Sequence, residues 1–155
     1  MKIDFTSQDV TTLKTELIVV GQYQDDTKPQ GKLAEIDQAL QGAVSDLVFQ
    51  GDITGKAKET VLIHTLGKLP TPRVLVIGLG QHEDFDQDMV REVAAIAVKQ
   101  GMKMKVKRMA SCPFGINHPK IHEHHVTHSF AEGAVLASYH FEGYGSKKNP
   151  VTQLT

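Results

Sequence analysis

The 155-residue sequence contains one cysteine, Cys112, and no tryptophan. A single thiol excludes an internal disulfide and cannot by itself build a Cys-rich zinc or iron–sulfur site, so a reducing compartment is expected. Long hydrophobic runs are also missing. The clearest apolar stretches, Leu17 to Val20 and Val74 to Ile77, are far too short to cross a bilayer, and the amino-terminal residues turn polar before a signal-peptide core can form. A cytoplasmic protein without a membrane partner is the expectation. Neither sign of charge dominates: 17 Lys plus Arg stand against 18 Asp plus Glu, a net charge of -1, which excludes a global pull toward nucleic acid or anionic lipid. Aromatic residues make up only 6%, and none is interleaved with the one basic cluster, Lys99, Lys103, Lys105, Lys107 and Arg108. A base-stacking platform is therefore not indicated, and these lysines read as the outer face of an edge strand. The G-x-S-x-G elbow, the Walker A lysine, the EF-hand loop and the H-E-x-x-H helix are all absent.

What remains is enough for one core. Apolar residues reach 40%, and the length fits one domain. Lys2 to Phe5 and Leu17 to Val20 read as strands, the second an apolar run of the kind buried on both faces. A polar loop over 25–31 precedes Leu33, Ile36, Leu40, Val44 and Leu47, whose spacing of three and four predicts an amphipathic helix interrupted near Gly42. Two further strands, Thr60 to Thr65 and Arg73 to Leu79, flank a Gly- and Pro-containing loop. Asp84 or Asp86 then caps a helix bearing Met89, Val90, Val93, Ile96 and Ala97, with Gly101 placed for a left-handed C-terminus. Met102, Met104 and Val106 alternate with lysines as a half-exposed strand would. A second long helix is expected over about 120–138, before the aromatic segment Tyr139 to Tyr144. This order predicts an α/β fold of three layers, helices packed on a mixed, largely parallel sheet.

Two features invite a functional reading. Five of the eight histidines lie between His118 and His128. Helical spacing puts His124 and His128 on one face, a possible two-point metal chelate with His122 or Glu123 on another face, but no third or fourth ligand lies close in sequence. A solvated polar face is the plainer reading, and the same holds for His122 and His125. Gly78-Leu79-Gly80 sits between a strand and a helix, where a Rossmann phosphate loop would be. The third glycine is replaced by Glu83, and Asp84 and Asp86 add negative charge where a pyrophosphate would bind. A tight strand-to-helix turn explains the glycines. Cys112 reads as a small packing residue rather than a nucleophile. No catalytic, cofactor-binding or metal residue is assigned; Gly78 and Gly80 are the candidate positions for a nucleotide, His124 and His128 for a metal.

Four segments, taken in order, resemble one family. They are Thr15-Glu16-Leu17-Ile18-Val19-Val20-Gly21, Gly51-Asp52-Ile53-Thr54-Gly55-Lys56, Arg73-Val74-Leu75-Val76-Ile77-Gly78-Leu79-Gly80, and the stretch from Glu132-Gly133-Ala134-Val135-Leu136-Ala137-Ser138-Tyr139 to Lys148. The sequence is similar to the amino-terminal domain of the leucyl aminopeptidases, the M17 metallopeptidases. The resemblance implies a macro-domain-like fold over residues 1–146, with 147–155 beginning a linker toward a catalytic domain. It also implies that the chemistry lies elsewhere: two divalent metals, zinc or manganese, belong to that carboxyl domain, whose Asn-Thr-Asp-Ala-Glu-Gly-Arg signature does not occur here. No cofactor is expected in this chain. The implied partners are the catalytic domain and further subunits of a homohexamer. Two other functions compete with this one: a stand-alone module holding ADP-ribose or a related nucleotide near Gly78 to Gly80, and a His-rich metal-binding or regulatory protein.

Overall fold

The computed structural model describes residues 1–142 and 153–154. Among them six strands form one sheet: β1 (Lys2–Ile3), β2 (Leu17–Gln22), β3 (Thr60–His64), β4 (Arg73–Gly78), β5 (Arg108–Ser111) and β6 (Gln153–Leu154). The order across the sheet is β1-β6-β5-β2-β4-β3. Every neighbouring pair is parallel except β3 with β4, where the Gly- and Pro-containing loop returns the chain antiparallel. Four helices cover the sheet: α1 (Gly31–Ala39), α2 (Ala43–Phe49), α3 (Gln87–Lys103) and α4 (Glu123–Glu142).

The apolar runs become the two central strands because helices cover both of their faces. Alternate side chains feed separate cores. Leu17, Val19, Leu75 and Ile77 pack with Val90, Val93 and Ala97 of α3 and with Val126, Phe130 and Ala134 of α4. Ile18, Val20, Val74 and Val76 pack on the other side with Leu33 and Ile36 of α1 and Val44 of α2. The three expected layers are present.

The interruption expected near Gly42 falls there. Its φ of +85° ends α1 and opens α2, and its N–H donates to the Asp37 carbonyl at 2.9 Å. Of the two candidate caps for α3, Asp86 holds the position, its carboxylate accepting from the Met89 N–H at 2.8 Å. The other end of α3 corrects the sequence-based expectation. The helix runs through Gly101 to Lys103, and the left-handed residue is Lys105, with φ +58°. No strand occupies 102–106; β5 begins at Arg108. Val98 and Met102 are one helical turn apart and continue the buried stripe of α3, so burial decides between two periods that so short an alternation fits equally well. The basic cluster is accordingly not the face of an edge strand: Lys99 and Lys103 are helical, and β5 lies between β6 and β2.

The second long helix, expected over about 120–138, begins at Glu123 and runs to Glu142, and α4 carries a close crossing on α3. A Cβ on Gly133 would lie 2.3 Å from the Arg91 carbonyl oxygen, a distance no side chain tolerates. One residue earlier, Glu132 accepts from the same Arg91, Nε to Oε2 at 2.7 Å. The aromatic segment is helical as far as Glu142, and its remaining residues lie outside those described. Of the expected linker over 147–155, only Gln153 and Leu154 are described; the sheet takes them in as β6, between β1 and β5.

Candidate functional site

A crevice of about 730 Å³ opens at the carboxyl ends of β2 and β5. These parallel neighbours send the chain in opposite directions, β2 toward α1, β3 and β4, β5 toward α4 and β6. In open α/β sheets such a reversal of strand order opens the space in which ligands bind. One wall is built by Val20 and Leu33, the other by Leu79, Phe114 and Phe130. Gly21 at the top of β2 lets the second wall close in: a Cβ there would sit 2.7 Å from Leu79 Cδ1 and 3.0 Å from Phe114 Cδ1.

The polar groups of the crevice are fixed by one another. Gln22 is buried at 2% exposure, and its Nε2 donates to the carbonyls of Asp26 at 3.1 Å and Lys28 at 3.5 Å, folding the loop between β2 and α1 over the strand end. Asp26 Oδ1 lies 3.0 Å from His82 Nε2, and the His82 ring stacks on Tyr23 with centroids 3.7 Å apart. Burial, with smaller contributions from Asp26 and Asp25, pushes the Tyr23 phenol up to about 12. Burial likewise pushes the Cys112 thiol up to about 11; Lys32 offsets this in part and Glu35 adds to it. A thiol held protonated at neutral pH is a poor nucleophile, and Cys112 serves as a wall. At the far end, Gln30 stands at the N-cap of α1 without a side-chain cap hydrogen bond, and the first turn of the helix carries no acid. Its free N–H groups and Lys32 favour an anion, while Glu35, bonded to Lys32 at 3.1 Å, and Asp26 oppose one.

Gly78 and Gly80 do not line the crevice, although Leu79 between them does. A Cβ on Gly78 would lie 1.8 Å from the Lys56 carbonyl oxygen, and Gly80 adopts φ +75° while its N–H donates to the Gly55 carbonyl at 2.9 Å. Both glycines serve the close approach of backbone segments. The histidines separate as well. His118 is buried at 7%, its Nε2 2.9 Å from the His82 carbonyl oxygen. His122, His124, His125 and His128 are exposed at the start of α4, and no three His, Cys, Asp or Glu side chains come together as a metal site among the described residues. The sequence did not reveal Gln22, Asp26, Lys32 or Cys112 as crevice residues because they come from separated segments that share no motif. The one available signal is the polar loop between a doubly buried strand and an amphipathic helix.

Strand order, layers and crevice define a macro-domain-like α/β module. The same architecture appears in the macrodomain of DarG from Mycobacterium tuberculosis, with a TM-score of 0.71 at 13% identity over 99% of this chain and 95% of that one. It appears too in a Trypanosoma brucei macrodomain solved in complex with ADP, with a TM-score of 0.70 at 15% identity over 94% and 59%. A tomato leucine aminopeptidase gives a TM-score of 0.75 at 18% identity, matching 99% of this chain but 32% of its own length. Residues 19–148 match the family model described as the cytosol aminopeptidase family, N-terminal domain. A probable cytosol aminopeptidase of Roseiflexus castenholzii is 37% identical over 153 residues, and one of Geobacter sulfurreducens 33% identical over 160. The chain belongs to the cytosol aminopeptidase family, as its N-terminal domain. It spans 28% and 31% of those two relatives. No described helix is long and apolar enough to cross a membrane.

Proposed function

We propose that the chain is the non-catalytic amino-terminal domain of a leucyl aminopeptidase that works in the cytoplasm. In this reading a following catalytic domain holds two divalent metals, zinc or manganese, and removes N-terminal amino acids. The present domain packs against it and contributes to a homohexamer. The observation that carries the reading is the match along nearly the whole chain to relatives more than three times its length. Purified chain supplied with manganese or zinc is expected to leave leucine p-nitroanilide intact. Hydrolysis above a mock preparation would show that the assignment of catalysis to another domain is wrong.

A second reading is favoured by the crevice alone. Its place at the β2–β5 reversal and its volume suit ADP-ribose or a related nucleotide, and a protein of the same fold was solved with ADP. Glu35 and Asp26 weigh against a pyrophosphate there. Calorimetry with ADP-ribose tests it: absence of heat at millimolar ligand removes this reading and leaves the first untouched.

A further inference from the structure

The two edges of the sheet are treated differently. At one edge β1 is two residues long, and Lys2 is paired with Asp4 at 3.2 Å, so the edge is short and charged, as sheet edges that resist pairing are. At the other, β3 offers five residues, Thr60-Val61-Leu62-Ile63-His64, with no proline, lysine or acid among them. Natural proteins rarely leave such an edge undefended unless something covers it.

Its hydrogen-bonding pattern follows from its register with β4. Thr65 donates to the Pro72 carbonyl at 3.0 Å and Glu59 accepts from the Gly78 N–H at 2.7 Å, so the odd-numbered residues of β3 face β4. By the alternation of antiparallel ladders, Val61 and Ile63 point their N–H and C=O groups inward, whereas Thr60, Leu62 and His64 point theirs outward. This outward set is symmetric about Leu62. An antiparallel copy related by a two-fold axis through Leu62 sets Leu62 opposite Leu62 and Thr60 opposite His64, and every outward group in the strand meets a partner. The side chains agree. Leu62 lies on the same face as its ladder partner Leu75, beyond the cover of α3, and is 40% exposed; its symmetry mate would cover it. With a net charge of -1, two copies repel each other little.

We propose that the β3 edge is a homotypic interface, pairing with β3 of a second copy about Leu62 to join two six-stranded sheets into one. The inference rests on the edge alone and stands apart from the reading as an aminopeptidase domain.

Sedimentation of the 155-residue chain over a concentration series, with amide hydrogen exchange at both ends of the series, tests it. The expected result is a rise in mass toward twice 17.0 kDa, with the amides of Thr60, Leu62 and His64 gaining protection as it rises. Where about nine-tenths of the chain is paired, their exchange slows about tenfold, because only the unpaired tenth is open. Val61 and Ile63 stay protected at every concentration. Leu62→Lys is expected to keep its circular dichroism and remain monomeric. Exchange in the unmodified chain decides the matter even if that variant fails to fold. A chain monomeric throughout the series, a dimer in which the three outward amides exchange freely, or a folded Leu62→Lys chain that still dimerises would each overturn the proposal.

Discussion

Replacing Gly133 by alanine sets two calculable effects against each other. Alanine is the better helix former, and within α4 the change gains about 0.8–1 kcal/mol from propensity. Against it stands the crossing with α3, where the new Cβ would lie 2.3 Å from Arg91 O, 2.8 Å from Arg91 Cα and 2.9 Å from Arg91 C. All three are backbone atoms, so no side chain can swing away, and the helices must part by roughly 1 Å for the contact to reach an ordinary distance. A gap of that size forfeits about a quarter to a half of each dispersion contact across it. The contacts affected involve Val90, Ala94, Val126, Phe130 and Ala134, all buried. Overpacking of this kind costs about 1–3 kcal/mol, and a clash with backbone belongs at the upper end. The net expectation is a loss of about 2 kcal/mol, or about 4–8 °C in Tm for a chain of this size. Urea and thermal unfolding of Gly133→Ala beside the parent provide the measurement. A variant as stable as the parent, or more so, would refute the reasoning, because it would mean that the crossing relaxes at less cost than propensity returns.

Asp86→Ala should lose about 1 kcal/mol with the cap of α3, while Asp84→Ala, which removes no cap, should unfold with the parent; equal losses would mean the cap is misassigned. Cys112 and Tyr23 hold their protons more tightly folded than unfolded, at about 11 and about 12 against ordinary values of 9.0 and 10.0. Their contribution is complete below pH 9 and is lost as pH rises through that range, so the urea midpoint should fall from about pH 9 upward; a midpoint flat to pH 11 contradicts this. Alkylation of Cys112 by iodoacetamide should be slow at pH 8 for the same reason, with a rate that climbs as the thiol ionises near pH 11. After chelation and dialysis, native mass spectrometry is expected to show no stoichiometric zinc on His124 and His128. A single retained ion lost on His128→Ala would restore the metal reading.

The regular elements were legible where composition and period agreed. Leu17 to Val20 read as a doubly buried strand because few other arrangements bury four consecutive apolar residues, and Arg73 to Leu79 read as a strand that the structure buries in the same way. Gly42 marked the α1–α2 break because its left-handed conformation is costly for other residues. The end of α3 was misread because Lys105 adopts a positive φ that its identity does not announce, while Gly101 is used for burial instead. The strand expected over Lys2 to Phe5 is present as the shorter β1, whereas β6, its neighbour, owes its existence to β1 and β5, a tertiary effect that no local period records. The crevice was illegible for a related reason. The pattern shows which face of an element is apolar, but not that the ends of β2 and β5 lie side by side. The two glycines that caught attention, Gly78 and Gly80, mark close backbone approach beside that space. Glu132-Gly133, by contrast, carried the resemblance and has a physical reason: both residues address Arg91 across one helix crossing.

The pairing of β1 with β6 has a mechanical side. The two strands are parallel, so the chain enters the first at one end of the sheet and leaves the second at the opposite end. Tension applied between the two chain ends therefore loads this seam in shear rather than peeling it bond by bond. Among the described residues the seam is short, with Lys2 against Gln153 and Ile3 against Leu154 in register. It should yield first, freeing β1 while β6 stays paired with β5, so that stretching the domain would pass through a five-stranded form before the strands that hold the two cores part.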